Sequence, residues 1–412
     1  MPSLRPALLL AALYAAACHG DGGSTDLGVG GDLSGVVNTD GAAITDAASS
    51  CGRVATGDDA TRTIVVSHPF GTTDGTKSSD FELLTLASSG KISQPNIHFS
   101  LGIANEGQVV FTPDAQLGYV AADDGSIGIF KLNATGAPTI VNAAFQPGFT
   151  ASNLWLSQSG DQLYGLDAET TSNHGGIYMM TIACDGTLSS ATQLTAADLP
   201  YAALPLPGGR IGIYAHSLPG GSAGENVHLA TLGPPFMRQA SAVGFADDPD
   251  DAIIAGAAAT ADGRYLLFGD NSEFASVPNR ITAIEVTATG LRFAQLLTPV
   301  MDPVSIVASP YGNVMLVASG YQNALLTLAY DATNTTTPFL NKGEITYMGA
   351  KPELPGVGVA INRGALRGRV YVSETQGIRQ LRFETAGTVT DLGKFSVGAG
   401  NTSIVGAIGV TP

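Results

Sequence analysis

The sequence predicts an all-β protein, a seven-bladed β-propeller whose blades are four-stranded antiparallel sheets. Three observations indicate this fold: a unit that recurs about every 50 residues, β-branched and aromatic runs without helical periodicity, and incomplete units at the two ends that complement each other. With 412 residues, 44% of them hydrophobic and 13% charged, the chain has enough apolar residues to bury a large core.

The recurring unit is a short apolar strand, a tight polar turn, a second apolar strand, a variable loop, a third strand and another turn. Two clear copies are VVFTPDAQLGYVAADDGSIGIFKLNATG and SIVASPYGNVMLVASGYQNALLTLAYDATN. Their turns contain Pro-Asp, Asp-Gly and Tyr-Gly pairs, which favour β-turns. The centres of the second strands lie 45 to 55 residues apart, at Val65, Tyr119, Tyr164, Ile213, Leu266, Leu316 and Tyr371. Seven units of this length are typical of propeller blades.

The two ends of the repeat region predict how the ring closes. The first unit begins with a second strand, Thr63 to Val66, and no first strand precedes it. The chain finishes with SIVGAIGVTP, which reads as a first strand followed by nothing. We therefore expect the C-terminal strand to lie innermost in the N-terminal blade, where it removes two open sheet edges.

The first 17 residues have the layout of an export signal, with one basic residue, an apolar stretch from Ala7 to Leu13, and small residues before Cys18. The segment AAAC resembles the bacterial lipobox, although that motif prefers Leu where this chain has Ala15. The resemblance implies that Cys18 is the lipidated first residue of a mature lipoprotein, and the His19 that follows it implies the outer membrane. The alternative is an ordinary signal peptide cleaved at one of the alanines.

Residues 18–60 predict a flexible tether, because a Gly/Asp/Ser-rich segment without periodicity cannot offset its ordering entropy. The propeller is expected over residues 61–412. Two further cysteines, Cys51 at the end of the tether and Cys184, are expected to form a disulfide in an oxidising compartment. The alternative is two independent thiols, with Cys184 packed as a small apolar side chain.

Three segments carry a resemblance to known proteins: FTPDAQLGYVAADDGSIGIFKLNATG, GRYLLFGDN and YGNVMLVASGYQNALLTLAYDATN. They resemble the bacterial seven-bladed propellers of the lactonase-like and YVTN-repeat type, over nearly the whole region from about residue 61. The resemblance implies the fold. For function it implies a range, because that group includes sugar-lactone hydrolases, muconate cyclases and surface proteins with no known reaction. The repeats here are degenerate, and no His/Arg set suited to an anionic sugar phosphate is present.

Charge and motifs narrow the functional classes. The chain has 19 Lys and Arg against 35 Asp and Glu, a net charge of −16, which disfavours a nucleic-acid partner. P-loop, HExxH and CxxC motifs are all missing from the sequence. The leading hypothesis is a monomeric, lipid-anchored binding or scaffold module at the cell envelope, with an unknown protein or small-molecule ligand. The alternatives are a lactonase-like hydrolase or cyclase with its site at the channel mouth, and a structural or adhesive envelope component.

The two faces of the predicted propeller differ. In a four-stranded meander, the loops between second and third strands lie on the same side as the blade-to-blade connections, and the other turns lie opposite. The first group includes long polar loops such as DAETTSNHGG and GDNSEFASVPNR, which hold many of the acids. Long loops on a rigid scaffold often bind ligands, and carboxylates with a neutral imidazole suit a divalent cation such as calcium.

We therefore expect a ligand or metal site on this acidic side, since its candidates come from neighbouring long loops. The candidate residues are Asp167, Glu169, His174, Asp270 and Glu273. The alternative is that these acids keep an exported protein soluble. Other polar and aromatic residues have simpler interpretations: the Asp-Gly pairs are turns, Trp155 is a core or channel-lining aromatic, and most of the late arginines lie on a solvated face (Arg363, Arg367, Arg369, Arg379 and Arg382).

Overall fold

The computed structural model describes most of the region from residue 50 to the C-terminus. The described residues are 50–70, 77–102, 109–168, 175–244, 254–270, 280–298, 302–320, 322–348, 358–374, 376–398 and 405–412. Cys18 and the predicted signal and lipidation segment lie outside them.

The described residues form 28 strands, numbered in chain order, and two short 3-10 turns. Blade 1 contains β1 (Arg62–Phe70), β2 (Lys77–Leu86) and β3 (Ile92–Ser100), and it is completed by the last strand. Blade 2 contains β4 (Val109–Phe111), β5 (Leu117–Ala121), β6 (Ile127–Lys131) and β7 (Thr139–Phe145). Blade 3 contains β8 (Asn153–Leu156), β9 (Gln162–Asp167), β10 (Gly176–Thr181) and β11 (Thr192–Ala196).

The remaining blades follow the same order. Blade 4 contains β12 (Asp198–Leu206), a 3-10 turn (Pro207–Gly209), β13 (Arg210–Ser217), β14 (Val227–Thr231) and β15 (Met237–Ala242). Blade 5 contains β16 (Ile254–Ala259), β17 (Tyr265–Asp270), β18 (Arg280–Val286) and β19 (Leu291–Leu297). Blade 6 contains β20 (Pro303–Ala308), β21 (Val314–Ser319), β22 (Ala324–Tyr330) and β23 (Phe339–Thr346). Blade 7 contains β24 (Gly358–Ala360), a 3-10 turn (Gly364–Leu366), β25 (Arg369–Glu374), β26 (Gly377–Phe383) and β27 (Val389–Phe395), and the chain ends with β28 (Ile408–Val410).

These strands form seven four-stranded antiparallel sheets, which confirms the predicted seven-bladed propeller. All seven sequence markers lie on second strands, so the predicted repeat register is also confirmed. Within the described residues no helix is long and apolar enough to cross a membrane.

The ring closes as the sequence predicts. β28 is the innermost strand of blade 1 and pairs with β1 in the antiparallel register Ile64↔Val410, Val65↔Gly409 and Val66↔Ile408. The guanidinium of Arg62 also donates to the Thr411 carbonyl at 2.9 Å. The first and last strands of the propeller are therefore held together by a sheet ladder.

The core lies between neighbouring blades. Second strands are buried along their whole length in β5, β17 and β21, so their sequences are continuous apolar runs rather than alternating ones. Large aromatic side chains of second strands fill the gaps between blades; Tyr214 of blade 4, for example, packs against Phe268 of blade 5 with ring centroids 5.4 Å apart. Fourth strands such as β23 are largely exposed.

The antiparallel order gives the propeller two distinct faces. The loop face carries the connections from second to third strands and from one blade to the next. The turn face carries the turns from first to second and from third to fourth strands. Turns of the turn face repeat one local structure: the Thr112 hydroxyl donates to Asp114 at 2.6 Å, and the Thr260 hydroxyl donates to Asp262 at 2.6 Å.

Residues 50–61, called the strap below, lie on the turn face. Cys51 is joined to Cys184 in the β10–β11 turn by a disulfide bond, with an S–S distance of 2.12 Å. Arg53 forms an ion pair with Asp161 at 2.8 Å in the β8–β9 turn. The Thr56 amide donates to the Pro113 carbonyl at 3.1 Å. These contacts fasten the strap to blades 2 and 3.

Candidate functional site

Buried ionisable side chains gather on the loop face, at or near the ends of second strands and the starts of third strands. A charged group at such a position lies below the surface and needs a partner within the fold. The set comprises His68, Glu82, Asp167, His228, Asp270, Arg280, Glu374 and Arg379. Two of the predicted candidates, Asp167 and Asp270, belong to it.

Asp167 is the last residue of β9, and its side chain is fully buried. The Thr150 amide, in the connection from blade 2 to blade 3, donates to its carboxylate at 3.2 Å. The nearby carboxylate also contributes to raising the pKa of Tyr178, although burial of the phenol is the larger cause. Asp167 therefore fastens the blade-to-blade connection to the second strand of blade 3.

Asp270 is the last residue of β17 and lies directly across the ladder from Arg280, the first residue of β18. The Arg280 Nε and an Asp270 carboxylate oxygen are 3.4 Å apart, and both side chains are buried. The pair joins the two strands at the point where their connecting loop leaves the sheet. Arg280 is not among the predicted site residues, although the sequence shows a basic residue at the start of the next strand.

The two buried candidates do not come from neighbouring blades. Asp167 belongs to blade 3 and Asp270 to blade 5, and the β12 strand of blade 4 packs between β9 and β16 of those blades. The expectation of neighbouring loops was wrong for this pair, because the second-to-third connection of blade 4 lies between theirs. Glu169, His174 and Glu273 lie outside the described residues. Among the residues described, no three His, Cys, Asp or Glu side chains are grouped so as to hold a metal ion.

Blade 7 has an equivalent buried pair, formed by two residues that are not among the predicted site residues. Glu374, the last residue of β25, is 3.1 Å from the Arg379 guanidinium and accepts a hydrogen bond from the Met348 amide. Arg379 also pairs with Asp391 of the outer strand. Arg379 is therefore an exception among the late arginines, most of which were expected on a solvated face: its side chain is buried and pairs with Glu374 inside the sheet.

Blade 1 holds two imidazole–carboxylate pairs on the loop-face half of its sheet. The buried His68 Nε2 donates to Glu82 at 3.1 Å, and the Gln94 amide donates to the same carboxylate. Burial raises the pKa of Glu82, but these hydrogen bonds outweigh it, and the pKa lies below its ordinary value. Nearer the surface, His98 Nδ1 is 3.0 Å from Asp80. Glu82 is therefore ionised at neutral pH and holds its own blade together.

In blade 4 a single buried histidine takes this place. His228 of β14 is fully buried, and neither of its ring nitrogens has a hydrogen-bond partner in the described structure. Burial lowers the pKa of His228 to about 4, with a smaller contribution from the charge of Arg238. The imidazole is therefore neutral at pH 7.

Three of the buried carboxylates share one structural role. The carboxylates of Asp167, Asp270 and Glu374 end second strands, and each engages a third strand or an incoming blade connection. Their repeat positions provide a signal that the sequence offered, since each lies three or four residues after a second-strand marker. These carboxylates hold strands and connections together, and their contacts are structural ones.

Trp155 is a core residue, one of the two interpretations that the sequence favoured. It lies on the first strand β8, is buried, and stacks on Tyr164 with ring centroids 5.6 Å apart. The described Asp-Gly pairs lie in turns, where the Asp124 carboxylate accepts from the Ser126 amide and the Asp185 carboxylate accepts from the Thr187 amide. Asp74 lies outside the described residues.

Comparisons with known proteins identify the architecture. No protein-family model matches the chain, and no curated protein matches its sequence. A periplasmic gluconolactonase of Pseudomonas aeruginosa is similar in structure, with a TM-score of 0.61 and 14% identity over 85% of this chain and 99% of that one. A protein of Bacteroides fragilis assigned as a 6-phosphogluconolactonase has a TM-score of 0.59 and 14% identity over 87% of this chain and 100% of that one.

A Lactobacillus plantarum protein is similar as well, with a TM-score of 0.62 and 14% identity over 85% of this chain and 99% of that one. At such identities the similarity is one of fold. The chain is therefore a seven-bladed β-propeller with the architecture of lactonase-like solved structures.

Proposed function

We propose that the protein is an exported, lipid-anchored propeller that binds a ligand on its loop face at the cell envelope. The observation that carries this proposal is the difference between the two faces. The turn face holds the strap and tight turns, together with ion pairs such as Arg264–Glu285, whereas on the loop face the pairs Asp270–Arg280 and Glu374–Arg379 flank second-to-third connections. Loops fixed at both ends by such groups are suited to binding.

Two observations support export. A Cys51–Cys184 disulfide persists in oxidising compartments and is rare in the cytosol. One of the structurally similar proteins is periplasmic. Together with the signal-like segment before Cys18, they favour a protein that reaches the cell envelope and stays there through acyl chains.

Replacing the proposed lipidation site tests the anchor. The Cys18→Ser variant is expected to move from the membrane to the soluble fraction, because it lacks the thiol that receives the diacylglyceryl group. Fractionation followed by immunoblotting measures the change, with Ser24→Ala in the same segment as the control that keeps the Cys18 thiol. Unchanged membrane association of Cys18→Ser would exclude the anchor.

Calorimetric titration tests cation binding on the loop face. Calcium, zinc and manganese are the probes, since carboxylates and a neutral imidazole suit these ions. Asp167 and Asp270 are buried and engaged, so the informative variant combines Glu169→Gln with Glu273→Gln. It is expected to weaken binding at least tenfold, whereas Asp185→Asn with Asp331→Asn, both in exposed turns of the turn face, leaves binding unchanged. Failure of all three ions to bind the native protein would remove the cation from the proposal.

Lactone hydrolysis is the second candidate function, supported by the similarity to the gluconolactonase and 6-phosphogluconolactonase structures. Purified mature protein is assayed against aldonolactones with and without a phosphate group, and acid release is followed by pH-stat titration. Turnover above the spontaneous rate would favour the hydrolase over the binding module. No turnover, combined with ligand binding at the loop face, would favour the binding module.

A further inference from the structure

The chain enters the propeller from the turn face. β1 is a second strand, and Arg62 at its start lies beside Thr411 at the end of the first strand β28, where a first-to-second turn would stand in any other blade. The topology of ring closure therefore places the residues before β1 on the turn face.

The strap continues this path across the same face. The Asp58 carbonyl packs directly on Gly364 in the β24–β25 turn of blade 7, where a Cβ atom would lie 2.0 Å from that oxygen. Thr56 then bonds to the β4–β5 turn of blade 2, and Arg53 bonds to Asp161 and to the Ala183 carbonyl of blade 3. The strap thus spans the gap that blade 1 leaves, since blade 1 has no first-to-second turn of its own.

The disulfide attaches the N-terminal end of the strap covalently to the propeller. Cys51 is bonded to Cys184 in a third-to-fourth turn, which lies in the outer half of blade 3. Whatever course the preceding residues take, they start from the turn face near the rim of the ring.

The two faces also differ in charge: the turn face carries both signs, whereas the connections of the loop face are acidic by sequence. Exposed or half-buried basic side chains occur on the turn face at Lys91, Arg210, Arg363 and Arg367, whereas Arg53 and Arg264 are paired with Asp161 and Glu285. Acids such as Asp161 and Asp262 are interspersed with them, so both signs occur. The connections of the loop face are acidic by sequence, as in the ADDPDD segment between β15 and β16. An anionic lipid surface repels the loop face more strongly than the turn face.

We propose that the turn face is the membrane-facing surface of the anchored protein and that the loop face is directed away from the lipid. The proposal rests on the lipid anchor at Cys18 proposed above. It assigns the anionic lipid surface as the partner of the turn face, and it leaves the loop face open to ligands that arrive from the aqueous side.

Fluorescence quenching on vesicles tests the orientation. Ala386 and Ala223 are exposed residues of the turn face and the loop face, respectively. Each is replaced separately, as Ala386→Cys and Ala223→Cys, and labelled in the acylated full-length protein on vesicles that contain phosphatidylglycerol and a headgroup-quencher lipid. We expect quenching of the Ala386→Cys label to be at least twofold stronger. Equal quenching, or stronger quenching at Ala223→Cys, would overturn the orientation.

A second arm separates this orientation from the acyl anchor. The chain from residue 19 onward, with an N-terminal hexahistidine tag, is bound to vesicles that contain a nickel-chelating lipid, so that attachment does not depend on Cys18. The same twofold difference between the two labels is expected. If acylated protein does not form but the tagged protein shows the difference, the anchor fails and the orientation holds. If the tagged protein shows no difference, the orientation fails whatever the state of the anchor.

Discussion

At the scale of single residues, the loop face depends on charges that are buried and matched. Placing an ion pair such as Asp270–Arg280 below the surface carries a desolvation cost that is offset only while both partners remain. The pairs of blades 1, 5 and 7 differ in chemistry, yet each lies near the end of a second strand. At this position the paired charges hold the second and third strands together where their connection begins.

Removing one partner of the blade 5 pair should destabilise the protein strongly. Asp270→Asn leaves the Arg280 charge buried without its carboxylate, and we expect a loss of about 3 kcal/mol in the free energy of unfolding. Urea unfolding monitored by tyrosine fluorescence measures it. The control is Asp331→Asn in an exposed turn, with an expected loss below about 1 kcal/mol. Equal losses in the two variants would show that the buried pair contributes no more than a turn contact.

His228 should make stability depend on pH in a defined window. Its pKa is about 4 in the folded protein and about 6.5 in an unfolded chain. Between these pH values the imidazole is protonated in the unfolded state and neutral in the folded state. Stability therefore falls as pH falls from 6.5 to 4, by up to about 3 kcal/mol. The His228→Leu variant should have a flatter dependence in this window, measured by urea unfolding at several pH values.

The cross-strand neighbour of His228 supplies the control for that experiment. Ile213 pairs with His228 across β13 and β14 and does not titrate. Ile213→Val should lower stability by about 1 kcal/mol at every pH. If His228→Leu keeps the wild-type slope between pH 4 and 6.5, the buried imidazole is not the source of the pH dependence.

At the scale of strands and turns, the sequence predicts the repeated strands but not which charged side chains pair with each other. The second strands are apolar runs around markers such as Tyr119 and Tyr371, so their positions follow from composition and spacing. The partners of buried charges cannot be predicted in this way. Arg379 is brought to Glu374 by the register of the sheet, and in the sequence it is one of several late arginines. The loop of blade 4, which separates Asp167 from Asp270, shows that a shared face does not place two candidates on adjacent blades.

First strands contain glycines where neighbouring blades approach each other closely. In β28, a Cβ atom on Gly409 would lie 2.7 Å from Val109 Cβ of β4, and in β24 a Cβ atom on Gly358 would lie 2.8 Å from Val307 Cγ2 of β20. These contacts connect the innermost strand of one blade to that of the next. At these two positions the absence of a side chain allows the first strands of neighbouring blades to pack against each other.

Adding one methyl group to the closing strand should loosen the ring. Gly409→Ala forces Val109 or β28 to shift, with an expected loss of about 2 kcal/mol and a lower melting temperature in calorimetry. Gly57→Ala in the strap is the matched control, since a Cβ atom there meets nothing within 4 Å. Similar melting of Gly409→Ala and the wild type would mean that β28 does not pack tightly against blade 2.

Deleting Ser403 to Pro412 should have a larger effect on melting than Gly409→Ala, with aggregation from the exposed edges.

At the scale of the whole molecule, the ring is closed twice. The ladder between β1 and β28 joins the chain ends of the propeller, and the strap joins the N-terminal side to blades 7, 2 and 3. The disulfide links residues separated by 133 positions, so it restricts the unfolded chain over blades 1 to 3. The strap is therefore expected to stabilise blade 1, whose strands come from both ends of the propeller sequence.

Breaking the disulfide should weaken this second closure. The double variant Cys51→Ser and Cys184→Ser is expected to lose about 4 kcal/mol, because the unfolded chain regains the freedom of a long loop. Hydrogen exchange should also increase in the strap and in β1. Intact mass after alkylation, with and without reduction, checks the bond in the exported protein. Two thiols that alkylate without reduction would refute the pairing, and the reductant should leave the melting temperature of the double variant unchanged.

The meeting of Arg62 and Thr411 has a consequence for protein engineering. Because the first and last strands of the propeller are neighbours in one hairpin, a short turn could join Pro412 to Thr61 in a chain without residues 1–60 and make blade 1 like the other six. New termini could then be cut in any exposed turn, such as the one that contains Ala386. The propeller is thus a candidate for circular permutation, and each permuted start would move the attachment point to a different blade while the sheet order stayed the same.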